Sequence, residues 1–243
     1  MKASSNPPGV YPIRGIMGLC YLLVEGDEAC MIDTGLAGET LQVRRLLRRL
    51  GLAPRAIRAI LLTHGHLDHA GNLAALKRWT GARVYGHPAE RRHVAGTYPY
   101  QGTARWCGRL EAVGRFLLRY RPAPIDELLA DGDLLPFWGG LRVLHLPGHS
   151  EGHCGFYSER HGLLFSGDLF ASYFFSLHLP PPIFNSLPHL IPASLDRVEA
   201  LDPRLILPNH CDVADGALQK RRFGKLRRRR AWEAEALASS GGG

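Results

Sequence analysis

Six consecutive positions of this chain, 64 to 69, hold three histidines and an aspartate: His64, His66, Asp68 and His69. Imidazole and carboxylate are good ligands for a divalent transition metal, and four of them on one tight loop repel or stay unpaired without one. Their alternation matters as well. His64 and His66 can point one way while Asp68 and His69 point another, so one loop can serve two adjacent metals. Three later positions have the same character: His149 in Leu146-Pro147-Gly148-His149-Ser150, Asp168 in Phe165-Ser166-Gly167-Asp168, and His210 after Ile206-Leu207-Pro208-Asn209. The candidate metal ligands are therefore His64, His66, Asp68, His69, His149, Asp168 and His210. Of the twelve histidines, seven fall outside this set. Isolated ones such as His87, His145 and His161 read as structural or surface residues, and His153 as support behind the ligands.

The elements that must position these groups are short strands that end at them. Ala29–Ile32 runs into Asp33-Thr34-Gly35, and the apolar run Ile57–Leu62 into the His64 loop. Leu141–Leu146 precedes His149, Leu163–Ser166 precedes Asp168, and Leu205–Leu207 precedes His210. A sheet beneath such strand ends supplies rigidity to a site. Helical spacing covers Glu39–Leu50, Asn72–Trp79, Arg109–Tyr120 and a last helix at Leu195–Ala200. In the third of these, Leu110, Val113, Phe116, Leu117 and Tyr120 recur at the helical period.

With 243 residues, 45% of them hydrophobic, the chain can bury a sizeable core as one large domain. The expected division is a disordered N-terminus at 1–9, a single domain at 10–218, and a basic segment with a flexible tail at 219–243. The domain carries a helical insert at 93–129 and an apolar loop at 170–192 beside the site. No apolar stretch approaches the roughly 20 residues that span a bilayer, and Met1–Gly9 lacks the apolar core of a signal peptide. Five widely spaced cysteines without a C-x-x-C pair fit reduced thiols. Both features point to a cytoplasmic location. The formal charge of +8 is local: Lys220, Arg221, Arg222, Lys225 and Arg227–Arg230 hold eight of the 30 basic residues, and the remaining 22 balance 22 acids. That makes nucleic acid a disfavoured partner and the segment a solvated helix face or frayed tail.

At the level of motifs the chain resembles the metallo-β-lactamase-fold hydrolases, in the glyoxalase II-like and lactonase-like groups. The H-x-H-x-D-H motif is met by His64, His66, Asp68 and His69, and the His149, Asp168 and His210 motifs follow in order, after an early aspartate at Asp33 that is usually structural. The resemblance spans roughly residues 10 to 215. It implies an α/β fold, a four-layer αββα sandwich with the site at one edge between two sheets. It implies that His64, His66 and His149 hold a first metal, that Asp68, His69 and His210 hold a second, and that Asp168 bridges them. The ions would be two divalent metals, zinc first, with iron or manganese also admitted by all-N/O ligation. One departure stands out: the usual Gly-His-Gly is here Asn209-His210-Cys211, which bears on the geometry around the second metal. Cys211 reads as a packed neighbour. True β-lactamases are disfavoured, because they are exported and lack the bridging aspartate.

Such a centre generates hydroxide at neutral pH, and a metal-bridging hydroxide can attack a carbonyl or phosphorus. Asp68 and Asp168 are the catalytic candidates, Asp68 also as a proton acceptor or relay. The expected activity is hydrolysis of a carboxylic ester, thioester or lactone. The alternatives are a phosphodiesterase or nuclease of the same fold and a non-catalytic metal-binding protein. Tyr173, Phe174, Phe175, Leu177, Leu179, Ile183 and Phe184 after Asp168, with Tyr98, Tyr100, Trp106, Phe116 and Tyr120 in the insert, suit a lid over a small-molecule substrate with an apolar or acyl part. The same residues also suit packing in a homodimer interface. Basic residues such as Arg221, Arg222 and Lys225 lie where glutathione thioesterases of this kind hold their peptide.

Overall fold

Apolar residues sit on both faces of the central strands, so that each sheet is covered twice. The computed structural model describes residues 6–97, 100 and 102–240, with the side chains of 103 and 231–240 outside the description. A first sheet runs in the order β1 (Val10–Arg14), β2 (Leu19–Glu25), β3 (Glu28–Ile32), β4 (Ile57–Leu61), β5 (Arg83–Gly86) and β6 (Glu127–Leu128). Its β3, β4, β5 and β6 are parallel. Between β3 and β4 lies α1 (Thr40–Leu50); α2 (Leu67–Ala70) and α3 (Leu73–Thr80) lie between β4 and β5, and α4 (Arg91–Val94) and α5 (Arg105–Leu117) follow β5. The second sheet contains β7 (Leu134–Leu135), β8 (Leu141–His145), β9 (Cys154–Ser158), β10 (Leu163–Gly167) and β13 (Leu205–Pro208), in the order β13-β10-β9-β8-β7. A separate hairpin pairs β11 (Ala171–Tyr173) with β12 (Ser176–His178). The chain closes with α6 (Ile191–Leu201) and α7 (Gly216–Ser240).

Three apolar clusters define the layers. Tyr21, Leu23, Ile32 and Leu61 face Val143, Phe156, Phe165 and Leu207 between the sheets. Leu22, Met31 and Ile60 turn outward against Val43, Leu47, Leu73 and Leu76 of α1 and α3. Leu164 and Ile206 turn outward on the other side against Leu195, Val198, Phe223 and Leu226 of α6 and α7. The result is the expected αββα sandwich. Tyr21 ties its middle, donating its hydroxyl to the Pro208 carbonyl across the sheets at 2.5 Å.

Several expectations change. The histidine loop contains a helical turn, α2, so Asp68 and His69 are presented from a helix rather than an extended alternation. The last helix is α7, which runs unbroken across position 218 and buries Phe223 and Leu226. The basic segment is thus the outer layer of the sandwich from Gly216 on, because one apolar stripe among its arginines docks on β13. Near the N-terminus, Asn6 bonds the Ala214 carbonyl and the Gly216 N–H at 2.9 Å each, and Gly9 accepts Val24 N–H, so residues 6–9 are docked; residues 1–5 lie outside the described set. In α5, Leu110, Val113, Phe116 and Leu117 are exposed while Gly108, Glu111 and Arg115 are buried. The helix packs on polar backbone, and that requires a carboxylate and a guanidinium on its inner face.

Candidate metal centre

The parallel β3 and β4 end on one edge of the sandwich, as do β8, β10 and β13 of the second sheet. Each ends at one of the sequence-predicted groups, and the structure brings all seven together. Donor atoms of His64, His66 and His149 lie within 4.8 Å of one another, as do those of His64, His69 and Asp168, and those of Asp68, His69 and His210. His210 Nε2 stands 3.1 Å from Asp68 Oδ2 and 3.1 Å from Asp168 Oδ2. His69 Nε2 is 3.3 Å and His149 Nε2 3.6 Å from that same Asp168 oxygen.

The second nitrogen of four of the five rings is held from behind, while His66 Nδ1 lies 3.0 Å from His149 Nε2. Thr63 Oγ1 donates its proton to Asp33 Oδ2 at 2.7 Å, so at 3.0 Å from His64 Nδ1 it accepts, leaving His64 Nε2 bare. His69 Nδ1 donates to Asp33 Oδ2 at 2.9 Å. Asn185 Nδ2 donates to the Pro180 carbonyl, which turns Asn185 Oδ1 toward His149 Nδ1 at 3.0 Å. His210 Nδ1 donates to the Met17 carbonyl at 2.9 Å. Asp33, at φ +58° and buried, also accepts Thr63 N–H and Asn209 Nδ2, each at 2.8 Å. The Asn209 departure is therefore absorbed: its side chain occupies a lone pair of Asp33 and leaves His210 aimed at the carboxylates. Cys211 is buried in the core between the sheets and belongs to none of the donor groups.

A cation fits this arrangement. His64 Nε2, His69 Nε2 and Asp168 Oδ1 are buried without a hydrogen-bond partner, a costly condition that coordination relieves. Burial, then the neighbouring imidazoles, hold His64 and His66 well below the usual histidine range, so both are neutral as ligation requires. Burial would raise Asp168, but His210 and His69 bring it well below the usual carboxylate range.

Three acids and amides behind the centre carry no sequence signature of their own. Glu90, fully buried, accepts Gly65 N–H (2.8 Å), Ser150 Oγ (2.6 Å) and Gly152 N–H (2.8 Å), joining the His64–His66 loop to the His149 loop. Burial pushes Glu90 up, yet His93 and these donors bring it down to about 2. Glu111 on α5 accepts the Leu67 N–H at the start of α2, and Arg115 donates to the Gly65 carbonyl at 3.0 Å. Asn185 sets His149. The one trace Glu90 leaves in sequence is its place after β5, on the same edge as the other strand ends. His153, expected as support, accepts Asp168 N–H at 2.9 Å and donates Nδ1–H to Leu146. Gly65 has no alternative here, since a Cβ would lie 2.4 Å from that of His93. His87 stacks on His145 and His161 on Trp138, away from the centre as expected.

Above the donors opens a cavity of about 480 Å³. Ala171, Tyr173, Pro180, Pro181 and Phe184 from the 170–192 segment line it, as do Tyr100, Leu110 and Glu111 from the insert. Phe174 and Phe175 are instead exposed at the hairpin tip, and Trp106 and Phe116 on α5 also face outward; Tyr98 lies outside the described residues. No helix among the described residues is long and apolar enough to cross a membrane.

The chain is similar over most of its length to proteins of one family. It is 29% identical over 168 residues to a hydroxyacylglutathione hydrolase of Haemophilus influenzae, covering 66% of this chain and 70% of that one. It is 34% identical over 194 residues to the hydroxyacylglutathione hydrolase of Aeromonas hydrophila, covering 78% and 59%. Among solved structures, a metallo-beta-lactamase family protein of Thermus thermophilus superposes with a TM-score of 0.72 at 28% identity, covering 98% of this chain and 84% of that one. A metallo-beta-lactamase of Cronobacter sakazakii superposes with a TM-score of 0.69 at 25% identity, covering 97% and 94%. The profile of the metallo-beta-lactamase superfamily matches residues 13–210, which include all seven candidate ligands. The chain belongs to the metallo-beta-lactamase superfamily and is a hydrolase of that family.

Proposed function

We propose that this protein is a dinuclear metal-dependent hydrolase of carboxylic esters, thioesters or lactones. One observation carries the reading: seven N and O donors, several buried and unpartnered, converge, and five of them, His66, Asp68, His149, Asp168 and His210, line one cavity. His64, His66 and His149 would hold one ion; Asp68, His69 and His210 would hold a second, with Asp168 shared. Zinc suits the donor set, and iron or manganese is admitted. When bound, such ions acidify a water ligand and polarise a carbonyl. The chain's own groups do the rest. Asp68 faces the cavity and accepts the proton released as the substrate is attacked. His153 fixes the backbone of Asp168, and Asn185 fixes the ring of His149. Tyr100, Leu67 and Ala171, buried in the cavity wall, exclude bulk water around the scissile bond.

The named activities of two relatives, both glutathione thioester hydrolases, support the thioester option. The five unpaired cysteines support a cytoplasmic location. A nucleic-acid substrate finds less support, because three of the eight basic residues of the helix pair with acids of their own domain. Arg227 pairs with Asp196 and Glu199, Arg222 with Asp212, and Lys220 with Asp202. The test is turnover of a panel of esters, thioesters and lactones by the metal-loaded protein, beside Asp168→Ala and His66→Ala. Hydrolysis abolished by both substitutions supports the reading; none on any compound, or hydrolysis that survives them, overturns it.

A further inference from the structure

The cavity walls carry a second message, about what the substrate lacks. Apart from the donors at its floor, the cavity is lined by apolar groups such as Leu36, Leu67, Leu110, Ala171, Pro181 and Phe184. No lysine or arginine lines it among the described residues. Beyond the described residues and side chains the sequence has one further cation, Lys2.

Of the polar wall groups, Tyr100 and Glu111 are already committed, and Tyr173 and Cys107 carry no positive charge. Tyr100 donates its hydroxyl to Glu111, and Glu111 also takes Leu67 N–H and Arg115. None of the arginines near the cavity segments lines it: Arg105 and Arg109, beside Cys107 and Leu110, are exposed on α5, with Arg109 over the Trp106 ring. Arg115 reaches behind the wall to the Gly65 carbonyl; Arg222 is buried against Asp212 and Ser172, and Arg14 donates to the Asp212 carbonyl at 3.3 Å. Of the three basic residues the sequence offers for binding a peptide carboxylate, Arg222 clamps the β11–β12 hairpin, and Arg221 and Lys225 are exposed on α7 outside the cavity lining.

A carboxylate brought into such walls loses its water and finds no partner, whereas an alkyl chain loses nothing. We infer that the substrate is a thioester, ester or lactone with an uncharged, apolar acyl part, and that its leaving group has no carboxylate inside the cavity. This rests on the hydrolase reading above and narrows it away from glutathione conjugates. The reaction is unchanged: the acyl C–S or C–O bond breaks, a C–O bond to the oxygen of water forms, and the departing thiol or alcohol takes a proton from that water.

The experiment compares one acyl group on two carriers, with the metal-loaded full chain. Thioesters of N-acetylcysteamine, which is neutral, are measured against glutathione thioesters, which carry two carboxylates, for acetyl, butyryl, hexanoyl and octanoyl groups. The expected result is kcat/KM higher by at least about tenfold on the neutral carrier, the low end of the cost of a charged group taken out of water without a partner, rising by roughly fourfold per methylene until the cavity fills. Equal or faster turnover of the glutathione series, or no dependence on chain length, overturns the inference while leaving the hydrolase reading intact. No hydrolysis of either series, with esters and lactones also inert, overturns both.

Discussion

Glu90 Oε2 accepts the backbone N–H of Gly65 at 2.8 Å, so a carboxylate from the end of β5 fixes the loop that carries His64 and His66. Its other oxygen does the same for the loop of His149, through Ser150 and Gly152. Two ligand loops from different sheets are thereby held by one side chain that touches neither ring donor. Glu90→Ala leaves these donors buried and unpaired, and we predict a loss of about 3–5 kcal/mol in stability by analogy with broken buried ion pairs. Denaturant unfolding checks this. A loss below about 1 kcal/mol would show that the loops hold themselves.

Asn185 acts on His149 alone, through a 3.0 Å contact to Nδ1. Asn185→Ala frees that ring to rotate, and metal affinity is expected to fall by about 10- to 100-fold. Competition with a chelator measures it, and unchanged affinity would remove Asn185 from the centre.

His153 sets a pH dependence with a definite sign. Burial, then His149, lower it from 6.5 to about 3, so the folded protein keeps it neutral while the unfolded chain protonates it below pH 6.5. A depressed folded value means full stability above 6.5 and a progressive loss as pH falls toward 3, by up to about 1.4 kcal/mol per pH unit. His153→Gln does not titrate. The metal-free variant should therefore show a shallower decline in unfolding free energy between pH 6.5 and 5 than the metal-free parent, and parallel declines would refute the assignment.

Asn209 donates to Asp33 Oδ2 and to the Leu19 carbonyl, each at 2.8 Å. Removing it in Asn209→Ala leaves two buried acceptors short, at a cost of about 1–3 kcal/mol. A drop in the thermal midpoint together with weaker metal binding is expected.

Phe174 has φ +49° and is 91% exposed. A side chain in that conformation costs about 1–2 kcal/mol and here gains little burial in return. Phe174→Gly should leave stability unchanged or raise it by up to about 1 kcal/mol, read from the thermal midpoint; a clear loss would mean that the exposed ring packs on something.

Strand ends were legible because ligands and turn residues punctuate them: Asp33, His64, His149, Asp168 and His210 each follow an apolar run of two-sided strand. The inner face of α5 was not legible. Periodicity groups Leu110, Val113, Phe116 and Leu117 on one face, and nothing in a linear pattern shows that the opposite face packs on the polar backbone of Gly65 and Leu67, where Glu111 and Arg115 are the better partners. The reach of the C-terminal helix was missed for the opposite reason. Phe223 and Leu226 are only two apolar positions among eight basic ones, and composition outweighed them.

By itself the sequence determined the metal chemistry, since ligand types and their spacing on one loop are local properties. The sandwich was legible only through the family resemblance that the ligand motifs carry. Only the tertiary structure decided which groups stand behind the ligands and what the cavity excludes. Glu90, Glu111 and Asn185 act across 25, 44 and 36 residues of chain, and a basic residue's availability depends on whether a folded neighbour such as Asp212 has already claimed it.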